Sequence, residues 1–358
     1  MKLKYLFLSS LLGLGLLVPL NLLDLHTVDA QTVGEKKEEK SLFVISENDK
    51  CGYIDRIGRV VIPLQFSSAS PFYDGIALVK KNGKYGYIDS TGKLIIQPQF
   101  DEADQFSEGL APVNINGKYG YIEHTGKVTI QSQYDMAGPF SDGLAFVEIN
   151  NQIGYINKQG ELVIKPKYTS HWPANEDDPS FAEGLARVQI GNQRGFIDKT
   201  GKLAIQPVFQ SALRFSEGLA AVELDGRWGY INKAGKLVIQ PKFDSAKFFS
   251  DGLASVSING KYGYIDKTGK LIIKPQYSLT GLFSKGLAPV SVEGVQYRVG
   301  TEGGKWGYID KLGREVIQKQ YDDASEFNED LARVGVDGKY GYIDRKGKYV
   351  WGPVEIVR

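Results

Sequence analysis

The stretch LAPVNINGKYGYIEHTGKVTIQSQY (residues 110–134) decides the fold, because it holds three β-prone runs separated by two turn signals. Residues 110–115 are followed by Asn116-Gly117, and both of these residues tolerate the positive φ of a tight hairpin. The second run, KYGYI, leads into a turn that ends at Gly126, and a third run follows. We therefore predict an antiparallel unit of three strands, with almost no helix because no sustained 3.6-residue periodicity is present.

This unit is repeated along the chain. The Gly-Tyr-Ile core of the second run recurs nine times, with Phe196 replacing the tyrosine once. Six of the eight intervals are 34 residues, and the other two are 41 and 44, so the period is interrupted by insertions of 7 and 10 residues. The repeated glycines are Gly52, Gly86, Gly120, Gly154, Gly195, Gly229, Gly263, Gly307 and Gly341.

A unit of about 34 residues is too short to bury a core alone, so neighbouring units must supply it. The sequence therefore predicts an all-β tandem array of nine units over residues 42–358. We expect an open, solenoid-like superhelix, because no strand is exchanged between the ends of the array and nine blades exceed the usual four to eight. The alternative is a closed β-propeller.

Glycine inside a strand costs stability unless its missing side chain is needed. The nine repeats of this glycine suggest a packing role. We predict that each one leaves a notch for a large neighbouring side chain, such as the phenylalanine in the FSEGLA-type segment that connects one unit to the next.

The amino-acid composition excludes several classes of function. The chain has 358 residues, a net charge of +1, one cysteine and three histidines. The balanced charge argues against nucleic-acid binding, and a single cysteine excludes an internal disulfide or a cysteine-rich zinc site. We interpret Cys51 as a small buried hydrophobe and His124 as a solvated turn residue. No nucleotide-binding motif is present, and we expect no cofactor.

The first 30 residues have the pattern of a secretory signal peptide. Lys2 and Lys4 precede an apolar run, and the small residues Val28 and Ala30 have the spacing that a signal peptidase reads, so we predict cleavage after Ala30. Residues 31–41 form a charged, flexible tether. An uncleaved membrane anchor is the alternative, and either interpretation predicts export to the periplasm or the exterior. Sequencing of the mature N-terminus should give Gln31 if cleavage occurs.

The two insertions are the places where the repeat could hold an asymmetric site. The first, within residues 171–179, gathers aromatic and acidic side chains that suit a sugar or a cation. The second, within residues 291–304, could extend a hairpin into a contact patch. A plain surface loop is the alternative in both cases. The candidate ligand contacts are His171, Trp172, Asp177, Asp178, Tyr297 and Arg298.

The segments KYGYI (residues 118–122), RWGYI (residues 227–231) and KWGYI (residues 305–309) resemble the WG, or KWG, repeat family of bacterial proteins. The resemblance covers residues 42–358. It implies an all-β repeat array with an interaction role and provides no catalytic residue. The chain departs from the family pattern where tyrosine replaces tryptophan before the glycine, and where Cys51, Ile153 and Arg194 replace the aromatic residue.

The strict phasing of acidic and aromatic residues leaves little room for a catalytic pocket. We therefore expect a non-enzymatic exported scaffold that binds a protein or a polysaccharide, with no nucleic-acid partner and a membrane association only if the leader is retained. A second hypothesis is an envelope glycan hydrolase that uses Glu176 and Asp177, whose double replacement by alanine would abolish turnover. A third is a passive envelope spacer.

Overall fold

The computed structural model describes residues 41–169, 179–292 and 304–355, together with the backbone of residues 295–296 and 301–302. The chain divides into two units, of which the second comprises residues 39–358. The described residues form strands, turns and bends, and none of them belongs to a helix. Accordingly, this part of the chain has no helix long and apolar enough to cross a membrane.

Nine small antiparallel sheets follow one another in chain order. We number these sheets 1 to 9 in chain order. A separate pair of strands, Val295–Gln296 and Thr301–Glu302, lies in the sequence between two strands of sheet 8. The strands of the nine sheets are, in sheet 1, Phe43–Glu47, Lys50–Ile54 and Val60–Phe66; in sheet 2, Ser68–Ala69, Ile76–Lys81, Lys84–Asp89 and Leu94–Phe100; in sheet 3, Leu110–Ile115, Lys118–Glu123 and Val128–Tyr134; in sheet 4, Met136–Ala137, Ala145–Ile149, Gln152–Ile156 and Leu162–Thr169; in sheet 5, Leu185–Ile190, Gln193–Asp198 and Leu203–Phe209; in sheet 6, Ser211–Ala212, Leu219–Leu224, Arg227–Asn232 and Leu237–Phe243; in sheet 7, Ser245–Ala246, Ala254–Ile258, Lys261–Ile265 and Leu271–Tyr277; in sheet 8, Leu279–Thr280, Leu287–Ser291, Trp306–Asp310 and Glu315–Tyr321; in sheet 9, Asp323–Ala324, Ala332–Val336, Lys339–Ile343 and Tyr349–Glu355.

The three long strands of each sheet are the predicted ones, and we call them the first, second and third strands. Most sheets add a two-residue strand, here called the inner strand, which pairs with the first. Lys247, which follows the inner strand Ser245–Ala246, donates through Nζ to the carbonyl of Thr280 in the inner strand of the next sheet at 2.6 Å. The third strand is an edge, in agreement with its proline, and its register shifts around Pro98 between Ile96 and Phe100.

The array closes into a ring, so sheets 1 and 9 are neighbours and the fold is a nine-bladed β-propeller. The Tyr342 hydroxyl donates to the carbonyl of Val44 at 2.7 Å, across 298 residues of sequence. Phe43, Ile45 and Leu331 share one buried cluster at this junction. Our prediction of an open superhelix is therefore wrong, because side-chain packing joins the two ends without any exchange of strands.

The nine repeated glycines of the Gly-Tyr-Ile core, here called the anchor glycines, do occupy a tight place, but the predicted filler of the notch is wrong. A Cβ added to Gly120 would lie 2.5 Å from the carbonyl oxygen of Ile130 and 2.8 Å from the backbone nitrogen of Ser132. The third strand of the same sheet therefore crosses the glycine at backbone distance. The connecting phenylalanine packs instead on the tyrosine that follows the glycine, as Phe140 does on Tyr121.

The turn between the second and third strands is closed by an acidic or amide side chain. The carboxylate of Asp266 accepts hydrogen bonds from the Thr268 hydroxyl and from the backbone N–H groups of Thr268 and Lys270. These bonds, that of the threonine hydroxyl first, hold the pKa of Asp266 below its ordinary value. The amide oxygens of Asn157 and Asn232 accept the same backbone bonds in two other sheets.

These turns predict a loss of stability in acid. A carboxyl whose pKa is depressed on folding contributes stability above its unfolded pKa of about 3.9, and this is lost as the pH falls through the lower folded value. We expect the urea concentration at the midpoint of unfolding to decrease when the pH is lowered below about 4. Asp266→Asn keeps the turn without the charge, so it should change the midpoint little at pH 7 and show a smaller acid drop. An equal drop in both proteins would contradict this.

Candidate functional site

Seven junctions between successive sheets share one pair of contacts, and the junction between sheets 5 and 6 keeps only the ring contact, of Phe196 with Phe215 at 4.9 Å. The candidate site is the junction at which other residues make both contacts. At a standard junction, the tyrosine after the anchor glycine donates its hydroxyl proton to a carbonyl in the connecting segment of the next sheet, and its ring meets the phenylalanine of that segment. Tyr230, for example, donates to the carbonyl of Lys247 at 2.7 Å, and its ring centroid lies 5.0 Å from that of Phe249. Burial raises the pKa of the Tyr230 hydroxyl, so it stays protonated as a donor. The other tyrosines that donate in this way are Tyr53, Tyr87, Tyr121, Tyr155, Tyr264 and Tyr308.

At the junction between sheets 9 and 1, here called the seam, the first strand of sheet 1 takes over both contacts. The Tyr342 hydroxyl reaches the carbonyl of Val44, and the Tyr342 ring centroid lies 5.7 Å from that of Phe43. Phe43 stands at a position where the other eight sheets have a buried alanine, such as Ala220 or Ala254. One residue of the first strand therefore replaces the connecting phenylalanine of a standard junction.

This replacement leaves a cleft of about 410 Å³ at the seam. The first strand of sheet 1 lines it with residues 42–46, and the inner-strand segments of sheets 9 and 2 line it through Ser325, Glu326, Ala69 and Pro71. Within the described residues, sheet 1 begins with its first strand and has no inner strand. The cleft therefore lies beside the edge of Phe43–Glu47 that pairs with no inner strand among the described residues, at the place where six other sheets carry one.

The side chain of Arg333 also distinguishes the seam from the other junctions. It lines the cleft and is exposed, whereas its counterparts in six other sheets are buried. Its counterpart Arg187 in sheet 5 is 2 % exposed and donates to the carbonyl of Ala212 in the inner strand of sheet 6. The buried counterparts are Pro112, Phe146, Arg187, Ala221, Ser255 and Pro289.

The charged groups at and near the cleft contact neighbouring groups. The guanidinium carbon of Arg333 lies 4.8 Å from the centroid of the Tyr340 ring. Glu326 accepts a hydrogen bond from the backbone N–H of Leu282 at 3.0 Å. Burial lowers the pKa of Lys247, farther along the inner strands, and the nearby Glu326 opposes that shift. The cleft thus offers one exposed cation, a strand edge and an apolar wall, which is a surface suited to recognition.

The predicted ligand contacts are not part of this cleft. His171, Trp172, Asp177 and Asp178, and likewise Tyr297 and Arg298, lie outside the described residues. The two other residues singled out from the sequence are described. His124 is a turn residue whose ring centroid lies 4.4 Å from that of Phe106. Cys51 is half-buried against the core of sheets 1 and 2. Among the described residues, no group of histidine, cysteine and acidic side chains could hold a metal ion.

Sequence reasoning did not find the seam residues, although two signals were present. Phe43 breaks a position that is alanine in the other eight copies. In the 34-residue register, Glu35 and Glu38 stand where the next copy has Ala69 and Phe72. Both signals mark the first repeat as different from the rest.

The comparisons with known proteins agree with the repeat and the fold. The family model of the WG containing repeat matches residues 52–85, 85–119, 119–152, 153–177, 195–228, 228–262, 262–295 and 306–340. No curated protein matches the sequence significantly.

Of three solved structures that match the chain, one has a TM-score that shows a shared fold. A eukaryotic initiation factor is 10% identical with a TM-score of 0.60, and the match covers 87% of this chain and 94% of that one, so the two share a fold. The match to the dihydro-heme d1 dehydrogenase NirN is 13% identical with a TM-score of 0.44, covering 79% of this chain and 74% of NirN. Hsv2p of Kluyveromyces lactis is 9% identical with a TM-score of 0.41, over 67% and 91% of the two chains.

Proposed function

Because the chain belongs to the WG containing repeat family, we propose that it is an exported, non-enzymatic scaffold that binds a macromolecular partner, a protein or a glycan, at the seam of its ring. The observation that carries the proposal is the cleft of about 410 Å³ between sheets 9 and 1. Pockets that bind small molecules commonly have volumes of about 300–1,000 Å³ and combine apolar walls with a few polar groups, so the cleft has room for a short segment of a larger partner. Leu331, Phe43 and Arg333 supply such a lining.

Photocrosslinking from the cleft tests this proposal. Glu326 is exposed at the cleft, so a benzoylphenylalanine at position 326 should capture the partner in envelope material of the source cells. The matched control carries the same group at Val163, an exposed position on the third strand of sheet 4. We expect an adduct from position 326 that excess unmodified protein suppresses, and none from position 163. If position 326 gives no suppressible adduct with a protein or a glycan, the proposal is wrong.

A further inference from the structure

We propose that one sector of the ring docks on the surface of an anionic lipid bilayer through the turns of sheets 8, 9 and 1. These turns join the second strand of each sheet to the third, and we call residues 310–314, 344–348 and 55–59 together the seam rim. The inference goes beyond the proposed function, because the residues that line the cleft include none of the seam rim. It also needs no retained leader, unlike the membrane anchor considered from the sequence.

The seam rim carries the two most exposed large hydrophobic side chains among the described residues. Ile57 is 66 % exposed and Leu312 is 68 % exposed. Each is the tip of its turn, the residue directly before the turn glycine, where the other sheets have threonine, glutamine, alanine or lysine. Val60, Val61 and Val316, at the start of the adjoining third strands, are exposed as well. Aliphatic surface exposed at matching places indicates contact with another apolar surface.

These two turns have replaced the hydrogen bond that a polar tip supplies. In sheet 7, the hydroxyl of Thr268 at the tip donates to the carboxylate of Asp266 at 2.6 Å. In sheet 8, the tip is Leu312, and Nε of Arg314 donates to Asp310 at 2.6 Å instead. The same exchange occurs in sheet 1 at a distance of 2.8 Å, where the residues are Asp55, Ile57 and Arg59. Arginine follows the turn glycine in these two sheets and in no other, so the aliphatic tips do not hold the turns together.

The three turns form one continuous surface, because each lies against the third strand of the preceding sheet. A Cβ added to Gly58 would lie 2.1 Å from the carbonyl oxygen of Val350 in sheet 9. A Cβ added to Gly347 would lie 2.9 Å from Cγ2 of Ile317 in sheet 8. The two aliphatic tips therefore lie on either side of the turn of sheet 9, whose own tip is Lys346.

The charge of the seam rim suits anionic head groups. Its three turns contain seven basic and three acidic residues. Two carboxylates from neighbouring connecting segments offset part of this charge. Asp330 lies 3.9 Å from Arg56, and Asp251 lies 2.9 Å from Lys311. A positive excess remains, and Lys346 is exposed at its centre. The corresponding turns of sheets 2 to 4 have no net charge and no aliphatic tip, so the surface is confined to one sector of the ring.

A bilayer fits this arrangement better than a protein pocket does. The aliphatic tips are two separate projections, each with a basic residue on both sides in the sequence. A fluid bilayer can receive separate projections, because each apolar side chain enters the boundary between head groups and acyl chains while the neighbouring cations stay at the head groups. A protein partner would instead need two apolar pockets at a fixed separation. The seam rim therefore has the chemistry to recognise an anionic phospholipid surface.

Sedimentation with vesicles tests the inference. The protein is residues 31–358, which contain all nine sheets and lack the predicted leader. We expect saturable binding to vesicles made of equal parts of phosphatidylcholine and phosphatidylglycerol, and little binding to phosphatidylcholine alone. Ile57→Thr combined with Leu312→Thr should weaken binding at least about tenfold, because two apolar contacts are lost. Threonine occupies the tip in four other sheets, so this variant should keep the urea midpoint of the parent.

The matched control removes aliphatic surface elsewhere on the ring. Val163→Thr combined with Val238→Thr changes two exposed side chains on the third strands of sheets 4 and 6, and it should bind as the parent does. Lys346→Gln combined with Lys348→Gln should weaken binding to the mixed vesicles and make it less sensitive to salt.

A second measurement locates the inserted side chain. Lipids with brominated acyl chains should quench the added tryptophan emission of Leu312→Trp and not that of Thr125→Trp, which lies at the tip of the turn in sheet 3. Equal binding by the parent and the double threonine variant would overturn the inference, as would the absence of binding to the anionic vesicles. Capture of an envelope protein through Ile57 and Leu312 without lipid would overturn it in favour of a protein partner. None of these results alters the crosslinking expected from position 326, so the two proposals fail separately.

Discussion

Replacement of Gly229 by alanine should destabilise the ring by at least about 3 kcal/mol, one of the largest effects of a single methyl group in this chain. The added Cβ would lie 2.5 Å from the carbonyl oxygen of Ile239 and 2.7 Å from the nitrogen of Pro241. Both are backbone atoms of the adjoining third strand, so no side-chain rotation relieves the contact. The sheet must either open or lose register, and the urea midpoint of unfolding should fall sharply.

Gly226 provides the matched control in the same sheet. An alanine there would meet nothing within 4 Å, but its φ of +72° is a conformation that costs an L-residue about 1–2 kcal/mol. Gly226→Ala therefore measures the cost of backbone conformation alone. If the two variants unfold at the same urea concentration, close packing of the strands is not the reason for the anchor glycine.

Replacement of Phe43 by alanine should loosen the seam in particular. The side chain is 3 % exposed and packs with Ile54, Leu331 and Tyr342. Loss of a buried phenylalanine costs about 3–5 kcal/mol. Because no chain segment joins sheets 9 and 1 within the described residues, that energy should appear as local opening. Amide exchange in Phe43–Glu47 should accelerate by roughly a hundredfold to several thousandfold.

Phe249→Ala is the matched variant at a standard junction. Phe249 is fully buried against Tyr230, and its substitution removes a ring of the same size. The chain itself connects sheets 6 and 7, so the first strand of sheet 7, Ala254–Ile258, should remain better protected than the first strand of sheet 1 does in Phe43→Ala. Equal acceleration in the two strands would mean that the seam is no weaker than the other junctions.

The local structure could be predicted from the sequence because it depends on neighbours in the chain. Asn116-Gly117 identifies a hairpin, and Asn116 has a φ of +55° in the structure. The recurring glycine fixes the phase of every second strand, and Pro98 marks the edge strand. These signals gave three strands in each unit and a resemblance that the family match confirms.

Closure of the ring could not be predicted in this way, because it depends on two residues 299 positions apart, Phe43 and Tyr342. A repeat pattern shows which residues the copies share, and it does not show which copies depart from the period in a meaningful way. The seam is built from exceptions, namely the phenylalanine at an alanine position and the arginine that stays exposed at Arg333. The anchor glycine was misread for a related reason, since strand alternation does not show how closely a neighbouring backbone passes.

The seam has a consequence for stoichiometry. Nine almost equivalent sheets would offer a ligand nine almost equivalent positions, and occupancy would then be statistical. Phe43 is present in one sheet only, so the pseudo-ninefold symmetry is broken at the seam. A ligand that recognises the seam therefore binds once and in a defined orientation about the axis of the ring. Calorimetry should then report a valency of one for each protein chain.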